Sequence, residues 1–369
     1  MSVALEKIIG HAPLTEALKA TSSGVPNPFP EELFQVAPQN RVMGDRARWI
    51  RLSGERRTAK RVVYGAPAKR RNLRDIGDQT VRCFHNSESF QIDVMLLQKL
   101  QSFEKYQQDE GMDFLRFQIE EAAKRQVNTR VITTASMLRH GAIYWDSDGN
   151  LLPTSSGADT TLTVSAQVPA THQNQCNSII SASWALANTD IPLQIENLQQ
   201  YSLQETGMRL NACLYGINIL RYIRQNNFCQ AFMSRNPGMN DKILTTNEVP
   251  AGLFGIEKWF PVYTSYFLGE DDSTVNEIWD DDLAVFMPNV AQPDKMGWWA
   301  QYEGSYPVPR TIDVQRDPMA ALKNFETVYG QGAYSMISLN PIGIEVIEFD
   351  TFLPAIRNEK AIFQADVTP

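Results

Sequence analysis

Thr133-Thr134-Ala135-Ser136-Met137-Leu138-Arg139-His140-Gly141-Ala142-Ile143-Tyr144-Trp145-Asp146-Ser147-Asp148 changes its structural period in mid-course. Up to His140 the residues suit the end of a helix, and Gly141 is the residue type that stops one. Ala142–Trp145 is then a short β-prone run. Asp146-Ser147-Asp148-Gly149-Asn150 supplies a turn before the alternating strand Thr161-Leu162-Thr163-Val164-Ser165. Traced backwards, the helix starts near Met112. Leu115, Ile119 and Ala122 share one line of its surface, while Val127, Val131, Ala135 and Leu138 lie on a drifting face. A stripe that drifts in this way suits a helix lying across a sheet rather than one enclosed in a bundle.

Upstream, residues 91–107 carry a helical stripe of Ile92, Leu96, Leu100 and Phe103, and Gly111 reads as an interruption. Trp49-Ile50-Arg51-Leu52 and Arg61-Val62-Val63-Tyr64 are two β-prone runs about the turn Ser53-Gly54-Glu55, which predicts a long hairpin. That hairpin is too polar to own a core, so it is an excursion from the body. Residues 1–40 hold Pro13, Pro26, Pro28, Pro30 and Pro38, which argues against any long regular element. Gly24–Pro30 reads as an extended arm lying on something else. Downstream, a helix near 192–206 turns Ile195, Leu198 and Leu203 inward and stops at Gly207. A strand at 209–214, a helix at 217–232, and strands at 262–267, 283–287 and 334–339 follow, and Ile344–Phe349 suggests a last strand pair. The fold class is α+β, with an α/β body and a late return strand.

Charge is segregated along this framework. From Arg41 to Arg74 there are twelve Lys or Arg against Asp45 and Glu55, a net of +10, while the remaining 22 bases and 40 acids give −18. A basic segment on an acidic body, with an overall charge of −8, expects a complementary partner, either nucleic acid or another copy of the chain. Only Trp49 and Tyr64 offer stacking faces within the basic segment, and no RNA-binding or zinc-knuckle pattern accompanies them. The acidic counterpart is densest between Leu268 and Ala284, where Glu270, Asp271, Asp272, Glu277, Asp280, Asp281 and Asp282 occur without a base. The ligand spacing of an EF-type calcium loop is absent. A solvated acidic face is the default reading, and part of a surface that receives the basic segment of a neighbouring copy is the reading that suits the charge pattern best.

Catalytic constellations are scarce. His11, His85, His140 and His172 form no HxxxH or HExxH pattern, and Cys83, Cys176, Cys213 and Cys229 form no CxxC, so they read as buried, reduced thiols. No GxSxG elbow, Walker loop or GxGxxG fingerprint is present, and Gly252–Gly255 and Gly330–Gly332 read as turns. No apolar run approaches the length of a membrane span. Neither a cofactor, a metal nor an enzymatic activity is expected. The composition, 43% hydrophobic with 10% aromatic, is that of a folded globular chain.

Four stretches carry a resemblance: Arg61–Ala68 (RVVYGAPA), Thr133–Asp148, Ile191–Leu214 and Ile344–Ile356 (IEVIEFDTFLPAI). In this order, after a Pro-rich arm, the chain resembles the tailed-phage major capsid proteins of Hong Kong 97-type fold, and within them the lambda-type major capsid protein E family. The resemblance implies an N-terminal arm at 1–44 and an E-loop hairpin at 45–76. A P-domain with spine helix would occupy 77–174 and an A-domain 175–335. The segment 336–369 would hold the return strand to the P-domain and the C-terminal tail.

It implies a protein that self-assembles, as pentamers and hexamers, into the icosahedral head of a tailed bacteriophage. The head encloses double-stranded DNA without sequence-specific binding. Assembly would take place in the host cytoplasm, with portal, scaffolding and cement or decoration proteins as further partners and no membrane. A hairpin that cannot bury its own surface would lie over a neighbour. The expected intersubunit contacts are Arg51, Arg56, Arg57, Lys60, Arg61, Lys69, Arg70 and Arg71 on the loop, and Asp271, Asp272, Asp280, Asp281 and Asp282 on the body. Lys60 and Lys69 lie on this loop, but covalent cross-linking is not expected. An encapsulin-like enzyme compartment and a nucleic-acid-binding protein using residues 41–74 are the rival readings.

Overall fold

The computed structural model describes residues 9–51, 77–102, 104–146, 151–152, 162–235, 248–263, 265–266, 276–288, 297–309, 325–339 and 342–369, with the single residues 238 and 243. The first elements are helix α1 (His11–Ser22), strands β1 (Arg41–Val42), β2 (Arg46–Arg51), β3 (Gly77–Arg82) and β4 (Phe84–Asp93), and helices α2 (Val94–Leu100) and α3 (Lys105–His140). Strands β5 (Ala142–Trp145), β6 (Leu151–Leu152), β7 (Leu162–Ser165) and β8 (Gln173–Asn174) lead to helix α4 (Ile191–Glu205), β9 (Ala212–Tyr215), and helices α5 (Ile217–Gln225) and α6 (Asn227–Ser234). The chain closes with β10 (Lys258–Pro261), β11 (Ser265–Tyr266), β12 (Asn276–Glu277), β13 (Leu283–Met287), β14 (Trp299–Pro309), β15 (Phe325–Tyr329), β16 (Gly332–Leu339), β17 (Ile342–Ile356) and β18 (Phe363–Asp366).

Strand β17 organises a six-stranded sheet. Along one side it pairs antiparallel with the whole of β4, from Gly343↔Asp93 to Phe352↔Phe84. Along the other it pairs first with β16, up to Phe349↔Gly332, and then with β14, from Phe352↔Glu303 to Ile356↔Trp299. A separate five-stranded sheet has the order β10-β9-β13-β18-β8. The 36-residue helix α3 serves both sheets. Its first half packs Leu115, Ile119, Ala122 and Ala123 with α1, α2, Ile344 and Val346. Its second half places Val131, Ala135 and Leu138 in a core shared with β14, β17 and the inner face of the five-stranded sheet. Gly141 ends α3 at φ 65°, ψ 14°, a left-handed conformation that glycine adopts without a Cβ penalty. Strand β5 follows at once, as the 133–148 stretch leads one to expect.

A buried ion pair sets how α3 lies on β17. Arg130 donates through Nε and Nη2 to the two carboxylate oxygens of Asp350, both at 2.6 Å, and Nη2 also reaches Glu303 at 3.4 Å. Asp350 is fully buried, and the guanidinium lies 5.2 Å from the ring centroid of Phe352. The paired carboxylates outweigh desolvation and raise the guanidinium pKa further.

Several expectations are corrected. His11–Ser22 is helical despite Pro13, because a proline in the first turn removes only an amide that has no intrahelical acceptor. This helix covers an exposed sheet edge: Thr15 Oγ1 donates to the Ala333 carbonyl and accepts from the Ala333 amide, each at 3.1 Å, and Ser335 Oγ donates to the Ile9 carbonyl at 2.6 Å. The Pro-rich arm that follows lies on its own chain, with Phe29 and Leu33 in the shared core.

The helical stripe over 91–107 begins instead as strand β4. Helix α2 starts only at Val94, where Asp93 caps it by accepting from the Leu96 amide at 2.7 Å. Gly111 does not interrupt; it lies inside α3, where a Cβ would come within 3.1 Å of Leu100, so glycine lets α2 pack close. The helix at 217–232 is two helices, because the Asn226 side chain caps the second by accepting from the amides of Phe228 and Cys229. Of the strand expected over 262–267 only Ser265–Tyr266 is a strand among the described residues, because β10 has already ended at Pro261, and the suggested last strand pair is the single 15-residue strand β17.

Trp49–Arg51 pairs with Gly77–Gln79, so the described partner of the first hairpin strand is β3, and Arg61–Tyr64 lies outside the described residues. Strand β14, which the sequence reading does not anticipate, pairs with β17, and residues 363–366 enter the five-stranded sheet. Both segments therefore sit in a different sheet from the one their expected domain implies.

Arg130→Ala would leave Asp350 charged and buried, and should lower subunit stability by about 3–5 kcal/mol in urea unfolding. Thr15→Val keeps the shape but removes both bonds at Ala333, and should cost about 1–3 kcal/mol in the same measurement.

Candidate intersubunit surface

The two strands that bound the basic segment are fixed to the body. Strands β2 and β3 pair antiparallel from Arg46↔Arg82 to Arg51↔Gly77. Ala47 is buried, and Trp49 stacks on Tyr302 of β14 with ring centroids 5.6 Å apart. Gly44 donates its amide to Ser305 Oγ at 2.6 Å, and Cys83 donates its amide to the Asp45 carbonyl at 2.6 Å. Arg82 faces Asp45 at 3.5 Å and Arg41 faces Glu303 at 3.6 Å, so the bases nearest the body have internal partners. Arg51 ends strand β2. Arg56, Arg57, Lys60, Arg61, Lys69, Arg70 and Arg71 lie outside the described residues.

On the acidic side, Asp271 and Asp272 also lie outside the described residues, whereas Asp280–Asp282 precede β13. Asp280 accepts from Arg139 Nε at 2.6 Å and from Arg139 Nη2. Asp282 accepts from Asn218 Nδ2 at 3.0 Å, Tyr222 Oη at 2.8 Å and Thr368 Oγ1 at 3.3 Å. The carbonyls of Asp280 and Asp281 approach Gly216 so closely that a Cβ there would overlap them. Asp280 and Asp282 therefore bind the end of α3, the start of α5 and the segment after β18 to one another. Asp281 presents an exposed side chain. The partners of Asp280 and Asp282 come from positions 60–141 residues away, a pairing that local charge counting does not reveal.

A cleft of about 540 Å³ opens beside this junction, lined by Arg139, His140, Tyr144, Asp281 and Asp366 among others. Among the described residues no three metal-ligating side chains converge, and no helix is long and apolar enough to cross a membrane. His172 stacks on Phe363 at 4.1 Å, and burial lowers its pKa; His85 stacks on Tyr306 at 4.6 Å, and burial lowers its pKa too. All four cysteines are buried and free, and burial pushes the Cys83, Cys176 and Cys229 thiols up to about 12. These are structural side chains.

One surface escapes the sequence reading. Tyr106 and Phe117 on α3 are 81% and 60% exposed, and Phe114 on the same helix is exposed too. The signal was present in the spacing, because Tyr106 and Phe117 fall on the side of the helix opposite Leu115, Ile119 and Ala122.

No family model and no curated protein sequence matches the chain. Among solved structures, a phage-related protein from Bordetella bronchiseptica RB50 matches over 97% of both chains, with a TM-score of 0.50 and 10% sequence identity. The satellite phage P4 procapsid structure, which includes the size determination protein, contains a chain that matches over 96% of this chain and 90% of its own, with a TM-score of 0.44 and 10% identity. The virus-like particle from Pyrococcus furiosus matches over 95% of this chain and 97% of its own, with a TM-score of 0.41 and 8% identity. At such identities the likeness is one of fold. From end to end the chain shares the fold of the Bordetella phage-related protein, the mixed α+β arrangement of Hong Kong 97 type that the order of its elements leads one to expect.

Proposed function

We propose that this chain is the major capsid protein of a tailed bacteriophage, a structural rather than catalytic protein that assembles into an icosahedral head around double-stranded DNA. The observation that carries the reading is the whole-length fold match to a phage-related protein. Three surface features support it. The basic segment of the sequence is bounded by the anchored β2–β3 stem. The outer side of β4, ten residues long, pairs with no strand among the described residues, an open edge of the kind that a further chain covers. The exposed aromatic side of α3 is the third.

In this reading residues 1–44 are the arm, and the E-loop of 45–76 extends from the β2–β3 stem. The P-domain gathers residues 77–174 with 297–356, and the A-domain gathers 175–288 with 363–366. The chain associates with itself as pentamers and hexamers. Its further partners are portal, scaffolding and cement or decoration proteins, and it is assembled in the host cytoplasm to reside in the virion. Arg51, Arg56, Arg57, Lys60, Arg61, Lys69, Arg70 and Arg71 meet carboxylates of a neighbouring copy. Because Asp280 and Asp282 are engaged within the chain, the receiving carboxylates are Asp281, Asp271 and Asp272. Charge complementarity of this kind sets register and rejects wrong contacts, while closure multiplies contacts that are individually moderate.

Expressed with its neighbouring genes, the chain should form closed shells of uniform size that protect DNA from nuclease, as seen by negative-stain microscopy. A persistent small oligomer would overturn the reading. Changing Arg56, Arg57, Lys60 and Arg61 together to Glu should leave subunit unfolding within about 0.5 kcal/mol of the parent while abolishing or distorting shells. Normal shells from that variant would exclude an electrostatic role for the loop.

A further inference from the structure

Helices α4 and α6 share one core, yet each also shows an apolar side chain to solvent. Leu193 of α4 is 49% exposed, Phe228 of α6 is 44% exposed, and Leu186, in the segment before α4, is 61% exposed. Of the eight residues of α6, only Cys229 and Met233 are buried. Single exposed apolar residues are ordinary on a protein surface, but the backbone that carries these three is gathered round one buried residue, Asn226. Its Nδ2 donates to the carbonyls of Thr189 at 2.7 Å and Leu186 at 3.4 Å. Its Oδ1 accepts from the amides of Phe228 and Cys229, each at 3.0 Å. The Asn227 amide donates to the Ala187 carbonyl at 2.8 Å, and Asp190 caps α4 by accepting from the Leu193 amide at 3.0 Å. The platform is therefore fixed in advance, and an ordered surface loses little entropy when it is covered.

The charges beside this platform are sorted by helix. Helix α4 carries Glu196 and Glu205 and no base, whereas α5 and α6 carry Arg221 and Arg224 and no acid, and Arg235 follows α6 at once. Glu205 is taken by Lys360 at 3.4 Å, and Arg224 donates to the Ile243 carbonyl at 2.6 Å. Glu196, which accepts from the neutral Gln200 at 3.5 Å, is exposed, and so are Arg221 and Arg235. A surface with an acidic helix, apolar side chains and a basic pair of helices is complementary to itself. Turned about a two-fold axis, a second copy sets its acidic helix against the basic pair and closes apolar on apolar. An occupant of one charge sign would be repelled on one side.

We infer that Leu186, Leu193 and Phe228 are the centre of a contact between two copies of this chain, with Glu196 of each copy facing Arg221 and Arg235 of the other. The contact is separate in sequence from the basic 41–74 segment and needs none of its charges. It rests on the capsid reading for its setting, a shell in which many copies meet. Asn226 acts as a positioning residue, because it holds the backbone of both partners in shape without touching the neighbour.

The test expresses the full-length chain with its neighbouring genes and counts closed shells by negative-stain microscopy. F228S, E196R and the pair R221E/R235E should each lower the yield of shells by about tenfold or more, because closure multiplies the loss of one contact. Combining E196R with R221E/R235E exchanges the signs on both sides, and should restore the yield to within about twofold of the parent. Urea unfolding of each subunit should match the parent, since all four positions are exposed. Should F228S unfold early, L186S, outside any helix, takes its place. Normal shells from F228S and E196R would overturn this contact and leave the capsid reading standing, whereas a parent that forms no shells would overturn both. A combined variant as defective as the single reversals would mean that a different protein covers the platform, and the assignment to a second copy would be wrong.

Discussion

The seating of one long helix on one long strand is the constraint on which the rest of the molecule depends. Arg130 and Asp350 are far apart in sequence, yet their paired hydrogen bonds fix both the depth and the register of α3 on β17. A buried ion pair contributes little net stability compared with an apolar contact of the same size, but it strongly penalises any other alignment, because slipping it would strand two charges. Once the register is set, the apolar layers on either side are determined. The first half of the helix closes a core with α1 and α2, and the second half closes one that reaches the five-stranded sheet. The helix thus works as a beam to which two sheets of different construction are attached.

The stem of the basic excursion depends on the same beam at one remove. Trp49 rests on Tyr302, and Tyr302 belongs to the strand that continues the β17 ladder. A stem that bounds so basic a stretch of sequence is held by apolar and backbone contacts. Those contacts come from Ala47, Trp49 and the amides of Gly44 and Cys83, not from the charges. Anchorage and charge are therefore separated along the sequence.

Much of this was legible in the sequence where the signal is local. The end of α3, the Gly141 stop and the strand after it follow from residue types that act on their own neighbours, and β13 falls where its apolar run places it. What was not legible depends on distant partners. Strand β14 mixes Trp, Tyr, Gly and Pro with no clean alternation, since neighbours on two sides bury it. Ile92 fits a helical stripe as well as it fits β4, and only the ten-residue ladder with β17 decides between them. The acids at 280–282 look alike in a charge count, yet two of them are structural, because Arg139, Asn218 and Tyr222 reach them from elsewhere in the chain. The exposed aromatic side of α3 is a local signal as well, since Tyr106 and Phe117 fall opposite the stripe of Leu115, Ile119 and Ala122.

Strand β18 is laid between β13 and β8, with Phe363, Ala365 and Val367 buried in the core beneath the outer helices. An inner strand of the five-stranded sheet is therefore synthesised after everything that flanks it. While residues 363–366 are still inside the ribosome, β8 and β13 have an empty lane between them. Dependence on contacts so distant in sequence slows folding. It also imposes an order: the five-stranded sheet closes only after residues 363–366 have been made and laid between β8 and β13.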